Sequence, residues 1–194
     1  IRWQAAALTA HGHDATAFDL LARKVGSGDP ENVEAQAARR YWPLLMGEDF
    51  RRDRMAEGAN GLLNYGYTIL RSLVARAVVA GGLHPSIGIH HANRGNAFAL
   101  ADDLVEPFRP LVDSLTLRLI AFGTTTVTPD AKRAFAGLTA LDLPGSAGTT
   151  TVTGAANRLA QTLAGCFESG RAADLITPEP PTTLELAGLD ALIA

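Results

Sequence analysis

Four acidic residues and two histidines carry the strongest chemical signal in this 194-residue sequence. Asp102, Asp103 and Glu106 lie in the stretch AFALADDLVE, where spacings of four and three put both aspartates on the helix face of Glu106. Like charges at those separations repel, and a cation between them would relieve the repulsion. The pair His90 and His91 ends the loop segment LHPSIGIHH just before them. Glu34 comes from a separate helical segment, where Ala37 and Ala38 are small enough for another helix to approach. These residues make a three-sided set of oxygen and nitrogen donors, and the chemistry open to such a set is the binding of a divalent metal ion. Each is ordinary alone: a helical glutamate is usually a solvated surface residue, a loop histidine is more often structural, and three acids can simply solvate one helix face.

Basic residues point to an anionic partner by their positions. The sequence has fifteen arginines and two lysines; a guanidinium grips phosphate through two parallel donors, although GC-rich coding explains the ratio more readily. Arg39, Arg40, Arg51, Arg52 and Arg54 fall within one short segment, and such clusters supply salt-dependent contacts to a nucleic-acid backbone. Some can instead pair with Glu48, Asp49 and Asp53. Arg109 can reach a phosphate or brace Glu106. Asn60 and Asn64 can hydrogen-bond around the site, or act as a cap and a packing contact. Tyr41, Tyr65 and Tyr67 read as core or helix contacts, with Tyr65 also a candidate substrate contact.

Helices must position these groups. Ala, Leu and Arg dominate to about residue 120 and β-branched runs are rare there. Ile1 to Ala10 reads as the middle of an Ala-rich helix without a cap in front. A second helix restarts at His13-Asp14 and runs to Val25. Asp29, Pro30 and Glu31 supply a cap, a first-turn proline and early acid for a helix from about Pro30 to Leu45. A central, buried helix covers about 61–80, apolar nearly all round, and Gly81-Gly82 stops it. A further helix begins at Asn96, and Pro107 kinks or ends it. Later come a helix from Asp113 to Phe122, a short helix opened by Pro129, a loop DLPGSAGTTT, and an amphipathic helix over about Val152 to Phe167. The expected fold is all-α, with residues 1–176 as a helical catalytic domain and 177–194 as a proline-rich extended strap or mobile end.

Composition bounds the function. With 47% hydrophobic and 19% charged residues and a net charge of -3, the chain is neither disordered nor grossly basic. A lone cysteine, Cys166, excludes an intramolecular disulfide, no secretory signal is visible, and a cytoplasmic location is expected. Arg71, Arg76 and the glycine pair interrupt the most apolar stretch, so no membrane span is expected. The uncapped start, at Ile1, suggests that a preceding portion exists.

Three segments, GDPENVEAQAARRYW, GANGLLNYGYTILR and GLHPSIGIHHANRGNAFALADDLVEPFRPLVD, together resemble the CRISPR-associated integrase of spacer acquisition, the Cas-one family. The resemblance covers about Gly26 to Asp113 and is long and specific. The His-His pair and the LADDLVEPFRP wording look most like the type II branch. In that family a glutamate of the first motif, the histidine ending the second loop and an acid fifteen positions later bind the metal, which corresponds to Glu34, His91 and Glu106 as catalytic metal ligands. His90, Asp102, Asp103 and Asn64 would then surround the ligands, with Asp103 the strongest helper. Two carboxylates and one imidazole suit Mn2+ or Mg2+, and the nitrogen tilts the choice towards manganese. The resemblance implies transesterification that joins the 3′ ends of short foreign DNA into a CRISPR repeat. It also implies a helical half that normally follows an N-terminal β-sandwich, a homodimer, and the Cas-two protein as partner. Two other readings stay open: a non-catalytic DNA-binding or assembly module, and an integrase of a mobile element acting at transposon ends.

Overall fold

A computed structural model describes residues 1–26, 28–91, 93–145 and 148–193. Ser27, Ala92, Ser146, Ala147 and Ala194 lie outside it, including the middle of the expected 142–151 loop. The helices are α1 (Arg2–Ala10), α2 (Thr16–Lys24), α3 (Val33–Met46), α4 (Ala59–Ala80), α5 (Ala99–Val105), α6 (Arg109–Ala121), α7 (Pro129–Gly137), α8 (Val152–Ser169) and α9 (Thr183–Ala187). The expected helical class holds.

As the pattern predicts, α4 is the centre. Leu62, Leu63, Leu70 and Val78 on it have no exposed surface, and α5, α6, α7 and α8 pack around it. Gly66 makes this possible: a Cβ there would stand 2.5 Å from Val112 Cγ1 and 2.7 Å from the Phe135 ring. These helices share one large apolar cluster. A smaller cluster, built from Leu8, Phe18, Leu21, Val33, Tyr41 and Leu45 among others, joins α1, α2 and α3. Trp3 bridges to the large cluster by packing edge-on against Phe108, with ring centroids 5.6 Å apart. No helix among the described residues is long and apolar enough to cross a membrane.

Several boundaries differ from expectation for local reasons. α3 starts at Val33 because Asp29 to Asn32 make a turn, with Asn32 in the left-handed region at φ 54°. Asp29 still caps, its carboxylate accepting from the amides of Val33 (2.8 Å) and Glu34 (2.9 Å). α5 begins at Ala99 rather than Asn96. Pro107 acts as expected: Glu106–Phe108 forms a single 3₁₀ turn between α5 and α6, and α6 then starts at Arg109, before Asp113. The expected loop after residue 141 contains a short antiparallel hairpin, β1 (Asp142–Gly145) with β2 (Gly148–Thr151), which pairs Asp142 with Thr151. The C-terminal stretch is also more ordered than an extended strap. Thr182 and Glu185 form a capping box that starts α9, and Leu186 and Leu189 are buried in the large cluster.

Candidate metal centre

Asp103 organises the loop that carries the histidines. Its Oδ2 accepts from the amides of Ile89 (2.6 Å) and His90 (3.0 Å), and its Oδ1 accepts from the amide of His91 at 3.2 Å. Burial pushes this carboxyl up, but the bonds from the His90 amide, the His91 ring and the other amides outweigh it and hold the pKa below the usual carboxylate range. Gly88 lets the loop turn here, since a Cβ would meet the His91 carbonyl oxygen at 2.5 Å.

The same carboxylate stands 2.5 Å from His91 Nδ1. A neutral imidazole keeps its proton on the nitrogen that faces a carboxylate, which leaves the Nε2 lone pair for a cation. His91 is otherwise open, with 41% of its side chain exposed. His90 differs: its exposed ring sits edge-on to that of His91 at 5.9 Å, and only its backbone amide engages Asp103.

Glu106 is the first residue of the 3₁₀ turn, where the chain bends out of α5. Its pKa is raised, first by desolvation and then by the charges of Glu34 and Asp102, against the lowering effects of Arg109 and His91. Half of the side chain, 51%, still meets solvent, so the desolvation is partial. Glu34, at the open first turn of α3, and His91 are thus both within electrostatic reach of Glu106. Two carboxylates within electrostatic reach of each other and an imidazole backed by an aspartate are donor types that suit a hard divalent cation. Among the described residues no three acidic, histidine or cysteine side chains already stand in ligating geometry. Glu106 instead faces Arg109, whose Nε lies 3.0 Å from Oε1 but out of line for a hydrogen bond.

Two of the expected supporting residues have firm partners of their own. Asp102 is gripped by Arg71 through Nε (2.6 Å) and a terminal nitrogen (2.8 Å) and by Asn96 at 2.7 Å. Arg71 also lies 4.6 Å over the Phe98 ring, so the group braces the end of the histidine loop against α4. Asn64 accepts from Arg52 at 2.6 Å and donates to the Arg54 carbonyl at 3.0 Å. With Asn60, which accepts from Arg52 at 2.8 Å, it holds the 51–54 segment onto α4.

The arginines divide in the same way. Arg52, an expected DNA contact, is committed to the two asparagines. Arg51 is exposed but bonded to the carbonyls of Glu48 (2.6 Å) and Phe50 (2.9 Å). Arg39, Arg40 and Arg54 are exposed, and none forms an ion pair among the described residues. Arg109 braces Glu106 and lies 4.8 Å over the Tyr67 ring.

Sequence reasoning missed one polar group. Asp113 is 2% exposed and accepts from the Tyr41 hydroxyl at 2.9 Å and from the Tyr67 hydroxyl. The available signal was a carboxylate inside the apolar run PLVDSLTLRL. Tyr41 and Tyr67 are core residues, as expected, but with polar ends that have work to do.

The helical bundle brings Glu34 and His91 within electrostatic reach of Glu106 at the Pro107 kink. Residues 30–133 match the family model for CRISPR associated protein Cas1. The chain belongs to that family. It is 42% identical over 126 residues to a CRISPR-associated endonuclease Cas1 of Neisseria meningitidis serogroup C, covering 63% of this chain and 41% of that relative. A Cas1 endonuclease of Thermus thermophilus is 35% identical over 120 residues, covering 56% of this chain and 38% of the relative. The chain therefore spans about two-fifths of the length of these relatives. Among solved structures, a casposase bound to integration product shares the fold, with a TM-score of 0.65 and 21% identity over 88% of this chain and 60% of that one.

Proposed function

We propose that Glu34, His91 and Glu106 bind Mn2+ or Mg2+ and that the centre carries out phosphodiester chemistry on DNA. The observation that carries this reading is the Asp103–His91 pair beside the mutually repelling Glu34 and Glu106, in a chain whose relatives are named endonucleases. A bound divalent cation would polarise a phosphodiester and lower the pKa of an attacking hydroxyl. The chain's residues do the rest. Asp103 holds His91 in one tautomer and orientation. Glu106, which faces Arg109 in this structure, would hold the cation, and the Arg109 guanidinium would then be free for a phosphate oxygen. Arg39, Arg40 and Arg54, with Arg51, supply backbone contacts to duplex DNA on the exposed side of α3 and the segment after it.

The substrate reading that best fits family membership is joining of foreign DNA 3′ ends into a CRISPR repeat, with a homodimer and Cas-two completing the machine. A second reading, a non-catalytic module stapled by the same cluster, is favoured by the Glu106–Arg109 ion pair. Melting temperature and branched-DNA cleavage, each measured with and without Mn2+, separate the two. The first reading predicts Mn2+-dependent cleavage; stabilisation by Mn2+ without any cleavage would favour the second.

A further inference from the structure

Glu34 belongs to a different part of the core from His91 and Glu106. It rides on α3, whose buried residues join the smaller cluster with α1 and α2. His91 and Glu106 are held by α5 and the turn before α6, which belong to the larger cluster. The site spans a seam between the two. Apolar packing is non-directional, so it sets the distance across a seam only loosely.

A directional contact crosses it. Tyr41 of α3 donates to Asp113 Oδ2 at 2.9 Å, while Tyr67 of α4 donates to the other carboxylate oxygen. Tyr41 is 1% exposed and Asp113 2%, so water does not compete for these bonds. Tyr41 follows Glu34 by two helical turns on α3, roughly 10 Å. Asp113 follows Arg109, the ion-pair partner of Glu106, by one turn on α6. The Arg109 guanidinium also covers the Tyr67 ring. At one end Tyr41 shares α3 with Glu34, and at the other Asp113 lies one turn along α6 from Arg109, which faces Glu106. Stability alone does not call for a charged acceptor here, because burying a carboxylate is costly and Asn would pair both hydroxyls without a charge.

We propose that Asp113 is a positioning residue: by accepting from Tyr41 and Tyr67 together it sets the spacing between Glu34 and the His91–Glu106 side of the site. The inference rests on the metal-centre reading above. Asn at this position has the same shape and can accept from one tyrosine while donating to the other. Leu keeps the packing and loses both bonds.

The test compares wild type with Tyr41→Phe, Asp113→Asn and Asp113→Leu, using Mn2+ titration followed by electron paramagnetic resonance and hydrogen exchange of the metal-free protein. Tyr41→Phe and Asp113→Leu should weaken Mn2+ binding on the order of tenfold, as loss of an outer support does, and speed amide exchange along α3 while α4 stays protected. Asp113→Asn should stay within about threefold of wild type, since its hydrogen bonds survive. If Tyr41→Phe and Asp113→Leu bind Mn2+ as tightly as wild type, the proposal falls, whatever happens to their melting temperatures. If wild type takes up no Mn2+, or Glu34→Ala binds it equally well, the metal-centre reading fails and takes this inference with it.

Discussion

Replacing Asp113 by Asn should change the pH dependence of stability. Burial, the largest cause, pushes the Asp113 carboxyl from its ordinary 3.8 up to about 7, against the pull of the Tyr67 and Tyr41 hydroxyls and the charges of Arg109 and Arg52. The folded chain therefore keeps a proton there that the unfolded chain gives up near pH 4. Between those values the folded state binds more protons, so stability falls as pH rises from about 4 to about 7, and above that the full penalty remains. At about 1.4 kcal/mol per pH unit the penalty reaches roughly 4 kcal/mol. Relaxation around the charge reduces it, and roughly 2 to 4 kcal/mol is expected. Asn does not titrate, so the variant escapes the loss. Urea unfolding of both proteins at about pH 4, 6 and 8 gives the difference directly, with other titrating groups cancelling. The variant should gain steadily on wild type across that range. A difference that stays flat would show that Asp113 ionises as a surface carboxylate does, and the account of a desolvated clamp would be wrong.

Three further outcomes follow from particular contacts. Asp103→Asn should weaken Mn2+ binding about 10- to 100-fold by freeing the His91 ring and its loop, and His91 should show a changed tautomer balance by nitrogen NMR. Gly66→Ala should lower stability by about 1–3 kcal/mol in thermal unfolding, because the new methyl group meets Val112 and Phe135. Arg39→Ala with Arg40→Ala should weaken DNA binding equally for all sequences and reduce the slope of log K against log salt by about 1 to 2, with Mn2+ affinity unchanged.

What could be read in the sequence was whatever left a periodic or local mark. The apolar wrap of α4, the Pro107 break and the Pro129 start are written in residue types that act within a turn or two. The hairpin was hidden because its strands have four residues each and carry Pro144, Gly145 and Gly148, which read as loop. The Thr182–Glu185 capping box was legible but sat beneath a proline-rich composition. Within the site, Glu34, His91 and Glu106 were picked out by family motif together with charge, and Asp103 was named as the strongest helper; the contact of its carboxylate with His91 is seen only in the structure. For Asp102 and Asn64, spacing gives a helix face and not the partner on that face; only the tertiary packing brings Arg71 to one and Arg52 to the other. The mark of Asp113 was faint, a carboxylate within an apolar run, and its partners come from helices 72 and 46 residues away in sequence.

The central claim is that Glu34, His91 and Glu106 form one cation site, and calorimetric titration with Mn2+ tests it most directly. Wild type should show saturable binding, and Glu34→Ala, His91→Ala and Glu106→Ala should each weaken it by at least about tenfold, as loss of a ligand does, while all three proteins stay folded by circular dichroism. Binding that is the same in wild type and in all three variants would contradict the claim.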